Sequence, residues 1–118
     1  MIQLTQRQLQ AGMYAPPRVA GAEEVEFWIA RRDYRNHNGT VENIWVCQCM
    51  NLPKSGKGSI VVWSKSGTDE AKEEAVGLAQ LLVRKYVMDC KFAKRKPEWV
   101  SFNKRAPRDV ERRRLQIW

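Results

Sequence analysis

Residues 24–50 read EVEFWIARRDYRNHNGTVENIWVCQCM, and this stretch decides the fold. Val25, Phe27 and Ile29 alternate with Glu24, Glu26 and Trp28. A period of two marks a strand. A helix through Val25, Trp28 and Ile29 is the rival reading, and the residues that follow decide against it. Asn38-Gly39 is a strong hairpin signal, because a type I′ turn needs positive φ at both central residues. Thr40 to Met50 then supplies β-branched and aromatic residues, Val41, Ile44, Trp45 and Val46, that suit a second strand. With Asn38-Gly39 as a two-residue turn, Arg35 is expected opposite Glu42, Arg32 opposite Trp45, Ala30 opposite Cys47 and Trp28 opposite Cys49. Opposed residues share a face. Trp28, Ala30, Trp45, Cys47 and Cys49 are therefore expected to line the core face. Phe27, Ile29, Ile44, Val46 and Met50 are expected on a half-wet one.

Downstream, Ser59 to Lys65 holds four consecutive apolar residues, Ile60 to Trp63, and reads as a third strand. Thr68 is an N-cap for the strongest helix pattern in the chain, running from Asp69 to about Met88 or Cys90. Asp69, Glu70, Glu73 and Glu74 fill its first turns and Arg84 and Lys85 its end, which suits the helix dipole. Ala71, Ala75, Leu78, Ala79, Leu82 and Tyr86 form its apolar stripe. Trp99 to Phe102 reads as a short fourth strand or an apolar strap after Pro97. Pro107, Asp109 and Glu111 ahead of Arg112-Arg113-Arg114 predict a terminal helix, with Asp109–Arg113 and Glu111–Arg114 pairs at helical spacing. Upstream, Leu4-Thr5-Gln6-Arg7-Gln8-Leu9 predicts a short helix with a capping box and staple, ended by Gly12. Pro16-Pro17 excludes a helix-turn-helix.

The expected fold is α+β. A three- to four-stranded antiparallel sheet packs on one long helix, flanked by a short N-terminal helix and a basic C-terminal helix. Residues 1–90 form a body, and residues 91–118 form a basic extension on the same domain. A chain of 118 residues fits one domain.

Charge is segregated along the chain. Residues 84–118 carry twelve Lys or Arg against four acids, so the whole net charge of +8 lies there. Solubility does not require such clustering, whereas a polyanionic partner rewards it through counterion release. Lys91, Lys94, Arg95 and Lys96 form a connector cluster. Lys104, Arg105 and Arg108 follow, then Arg112, Arg113 and Arg114. Trp99 stands among them as a surface on which a base can stack. Lys54 and Lys57 in the loop Lys54-Ser55-Gly56-Lys57-Gly58 are further candidate contacts. That loop lacks the first glycine and the following helix of a phosphate-binding Walker A loop.

Other chemistries find little support. Cys47 and Cys49 share a strand face. With Cys90 and His37 they would make four ligands, but the spacing matches no zinc knuckle or ribbon, so no metal and no cofactor is expected. Asp33 and Glu42 fall on opposite faces, and no nucleophile–base pattern exists, so no enzyme is expected. Three cysteines do not read as a disulfide framework, and residues 1–13 lack a secretory h-region, so a cytoplasmic setting is expected. Val110, Ile117 and Trp118 offer too small an apolar face for membrane binding.

The order of one short helix, three strands and one long helix is similar in outline to a double-stranded RNA-binding domain. Ser64-Lys65-Ser66 before Glu70-Ala71-Lys72 resembles that family's third strand and second-helix start. The resemblance implies phosphate contacts at the helix start, but Asp69 and Glu70 stand where the family carries lysines. The leading expectation is a non-enzymatic binder of DNA or RNA. The alternative is a phage- or mobile-element-type inhibitor or adaptor that docks on a larger, acidic or nucleic-acid-processing protein.

Overall fold

The structure, a computed structural model, describes residues 24–53, 59–100 and 105–117. The expected N-terminal helix lies outside these residues. The element order is β1 (Glu24–Arg35), β2 (Val41–Cys49), β3 (Val61–Trp63), α1 (Asp69–Phe92) and β4 (Val110–Gln116). The strands form one antiparallel sheet in the order β3-β2-β1-β4. The fold is α+β, with α1 packed on one face of the sheet.

The hairpin forms where the sequence places it, but one residue out of the expected register. Phe27 pairs with Cys49, Ile29 with Cys47, Arg31 with Trp45 and Tyr34 with Glu42. The cause is the turn. Within the turn only Gly39 has positive φ, at 89°; its N–H donates to Asn36 O at 3.0 Å, and Asn36 N–H donates to Thr40 O at 3.0 Å. The loop is thus three residues, closed by one left-handed glycine, instead of a two-residue type I′ turn. A one-residue slip moves every side chain of a strand to the other face relative to its partner. Val25, Phe27 and Ile29 consequently join Cys47 and Cys49 against α1, while Trp28 and Ala30 take the opposite face. Asp33 and Glu42 remain on opposite faces, with Asp33 accepting from Asn43 Nδ2 at 2.9 Å.

α1 begins as its cap predicts. Thr68 is extended at φ −76° and ψ 159°, and its hydroxyl accepts from Ala71 N–H at 3.1 Å. The helix buries Ala71, Ala75, Val76, Ala79, Val83 and Cys90. Small and β-branched residues bring its axis close to the sheet. Leu78, assigned to the core stripe by periodicity, faces solvent instead, and Leu82 and Tyr86 are only partly covered.

The predicted basic C-terminal helix is a strand. Val110–Gln116 pairs antiparallel with β1, from Ala30↔Val110 to Glu24↔Gln116. The free backbone edge of β1 pairs these seven residues along their length, whereas a helix that short would leave most of its end N–H and C=O groups unpaired. Alternation sends Glu111, Arg113 and Leu115 towards α1 and Val110, Arg112 and Arg114 to the opposite face. The helical pairings therefore do not form. Asp109 binds Arg32 at 2.9 Å instead, and Glu111 binds Arg113 and Lys72. Trp99 packs against the core, edge-on to Tyr86 with centroids 6.4 Å apart. Val100 N–H donates to Asn51 O at 2.8 Å, so the segment after Pro97 is a strap at this point and not a strand.

Candidate nucleic-acid interface

The cations of the C-terminal third fall into three settings. Arg112 and Arg114 lie on the sheet face away from α1, and both reach Glu26. Arg112 donates from Nε to Glu26 Oε2 at 2.6 Å and from Nη2 to Oε1 at 2.9 Å. Arg114 Nε lies 3.4 Å from Oε1, and Trp28 Nε1 donates to Oε2 at 2.7 Å. Glu26 itself is only 4% exposed. The hydrogen bonds from Arg112 hold its carboxyl well below the usual range, at about 2, against the opposing effect of burial. It is an ionised carboxylate serving two arginines and a tryptophan.

Arg113 is on the helix face. It makes a fork to Glu73, at 2.7 and 3.0 Å, and also binds Glu111 at 2.5 Å. Glu111 accepts as well from Lys72 Nζ at 3.0 Å. Hydrogen bonds from Arg113 lower the Glu73 pKa. Burial pushes Glu111 up, but Arg113 and Lys72 outweigh it and bring it below its ordinary value. The run Arg112-Arg113-Arg114, the densest cationic point of the sequence, is thus divided between two faces and matched by carboxylates.

The third setting is the end of α1. Lys91, Lys94, Arg95 and Lys96 are all exposed, and none has an ion-pair partner among the described residues. Lys94 takes a positive φ of 56° as the chain leaves the helix, and Arg95 N–H returns to Cys90 O at 2.9 Å. The backbone therefore fixes this turn while its side chains stay free in water. Arg105 and Arg108 are also exposed, ahead of β4 and well separated along the chain from the helix end. Lys54, Lys57 and Lys104 lie outside the described residues. Trp99 is partly buried, one side of its ring packed against the core and Tyr86.

The sequence reading missed an aromatic pair. Tyr34 and Trp63 sit on the face opposite α1, with ring centroids 5.1 Å apart and planes tilted by 52°. Both remain about two-fifths exposed. Arg32 projects from the same face two residues before Tyr34. Only the true hairpin register could have revealed this pairing. Trp45 faces α1 instead, with the Arg31 guanidinium 4.7 Å and the Lys72 ammonium 4.8 Å from its ring centre.

Cys47, Cys49 and Cys90 are buried free thiols, and burial pushes Cys47 up to about 12 and Cys49 to about 11. No cluster of metal-ligating residues occurs among the described residues. Among the same residues, no helix is long and apolar enough to cross a membrane. No family model, curated protein or solved structure matches the chain.

Proposed function

We propose that this is a small, non-enzymatic nucleic-acid-binding protein whose phosphate contacts come chiefly from Lys91, Lys94, Arg95 and Lys96. The observation that carries the reading is their setting. Four cations are crowded at one turn, all in water and none matched by a described carboxylate. Such a group releases counterions when it meets phosphates, which gives affinity without sequence readout. The β4 arginines contribute less than their number suggests, since Glu26, Glu73 and Glu111 already neutralise them. Arg105 and Arg108 add exposed cations, and the Tyr34–Trp63 pair, on the face away from α1 and near the hairpin turn, is a separate aromatic surface for an unstacked base.

A fluorescence-anisotropy titration of single- and double-stranded oligonucleotides at rising salt tests this. Affinity should fall with a log–log slope of about −0.7 to −0.9 per phosphate contacted. The triple variant Lys94→Glu, Arg95→Glu, Lys96→Glu should lose at least about tenfold in affinity and flatten that slope. No binding to any DNA or RNA at about 50 mM salt would end the proposal.

The second reading is an adaptor or inhibitor that docks on a larger protein. The exposed Tyr34–Trp63 pair beside Arg32 favours it, because aromatic and arginine side chains dominate protein–protein hot spots. A partner captured from lysate should then survive nuclease treatment and be lost on Trp63→Ala.

A further inference from the structure

The outer face of α1 carries an apolar stripe that the fold leaves uncovered. Leu78, Leu81, Met88 and Phe92 are 48%, 56%, 37% and 80% exposed. With Lys85 between them they recur at alternating spacings of three and four residues. That is the heptad seam of a coiled coil, carried by a helix of 24 residues, about 36 Å long. The core-facing side of α1 is a different set, Ala75, Val76, Ala79 and Val83, so the seam is not needed to hold the helix on the sheet.

The charges along the seam identify its occupant. Glu70 and Glu74 continue the stripe at the start of α1, and Lys91, Arg95 and Lys96 flank its end. An antiparallel copy of the same helix brings the acidic end of one against the basic end of the other. A parallel copy would set like charges together. We infer that two copies of this protein pair through α1, antiparallel, as a two-fold dimer. In that register Leu78 meets the second copy's Met88, Leu81 meets its Lys85 stem and Glu74 meets its Phe92. Lys85 accommodates the layer because its ammonium is already held by its own Asp89 at 2.7 Å, leaving the alkyl stem to pack. Every contact appears twice, as a closed isologous interface requires. Phosphate and the second copy would compete for Lys91, Arg95 and Lys96, whereas the apolar layers, Leu78 on Met88 and Leu81 on the Lys85 stem, need no nucleic acid; the pairing is therefore tested without it.

Sedimentation velocity on the full chain, without nucleic acid and from micromolar to hundreds of micromolar, tests the pairing. A concentration-dependent dimer is expected. Leu81→Glu should abolish it with unchanged far-UV circular dichroism, because Leu81 lies outside the protein's own core. Glu70→Lys with Glu74→Lys should weaken the dimer about tenfold or more, and Lys91→Glu with Arg95→Glu and Lys96→Glu should do the same. Combining all five should restore it to within about threefold, which simple misfolding would not do. Under mild oxidation, Leu78→Cys mixed with Met88→Cys should give a crosslinked heterodimer, and neither variant alone should crosslink. A monomer at the highest concentration, a dimer indifferent to Leu81→Glu, or crosslinking between like positions would each overturn the inference.

Discussion

Arg112 grips Glu26 with two hydrogen bonds, of 2.6 and 2.9 Å, across the β1–β4 boundary. The carboxylate is nearly removed from water, while the guanidinium keeps one side in it. Removing the buried carboxylate leaves Arg112 without its partner, and four donors, two on Arg112 and one each on Arg114 and Trp28, lose their acceptor. Glu26→Ala should therefore cost about 2–3 kcal/mol in urea unfolding. Glu26→Gln, which keeps an acceptor, should cost less.

The same carboxylate sets a pH dependence. Its pKa in the fold is about 2, below the ordinary 4.5. A depressed folded pKa stabilises above the unfolded value and loses that contribution as pH falls towards the folded one. Urea midpoints should therefore decline from about pH 5 down to about pH 2. In Glu26→Gln the decline should be shallower, and an identical slope in both proteins would count against this account.

Arg113 is expected to matter for folding and not for nucleic acid. Arg113→Ala leaves Glu73 and Glu111 close together with only Lys72 to offset them, and should lower stability by about 1–2 kcal/mol. Adding Glu73→Gln to that variant should cost less than Glu73→Gln costs alone, a coupling that a double-mutant cycle reads directly. Oligonucleotide affinity of the folded variant should stay within about twofold of the parent.

Two glycines should respond to alanine in opposite directions. Gly39 has φ of 89°, and a Cβ there would meet nothing within 4 Å, so the cost of Gly39→Ala is purely conformational, about 1 kcal/mol. Gly77 lies inside α1 with the same open space, so Gly77→Ala should add about 0.5–1 kcal/mol of stability. Thermal midpoints of the two variants should move to either side of the parent.

The thiols give a probe of opening. Cys47 and Cys49, pushed up to about 12 and about 11, present almost no thiolate at pH 8, and all three cysteines are buried away from reagent. Labelling by an aromatic disulfide reagent should be slow in the native protein and should accelerate in parallel with urea unfolding. Fast labelling of any one cysteine without urea would show that its side of the core opens locally.

What was legible in the sequence divides by the range of the interactions involved. Thr68 and the acids behind it announced α1, and Asn38-Gly39 with the flanking β-branched residues announced the hairpin, because caps and turns act over a few residues. The register was not legible. It depends on whether Asn38 shares the left-handed conformation with Gly39, and nothing local decides that. β4 was misread for a related reason. Val110 to Gln116 is rich in arginine with acids ahead of it, a pattern that suits a helix end. Its partners, Glu26, Lys72 and Glu73, are far away in sequence. They also changed the expected interface, since the strongest cationic run proved to be matched by acids and the connector from Lys91 to Lys96 did not.

The strand order also bears on how the chain is made. β1 is an inner strand, yet the segment that closes its outer edge is the last of the four to be translated. Until Val110–Gln116 docks, one flank of β1 is bare. That flank is an open template for pairing with other nascent chains. A chain cut before Val110 should thus be prone to pair edge to edge, and docking of Val110–Gln116 is the step that closes that edge.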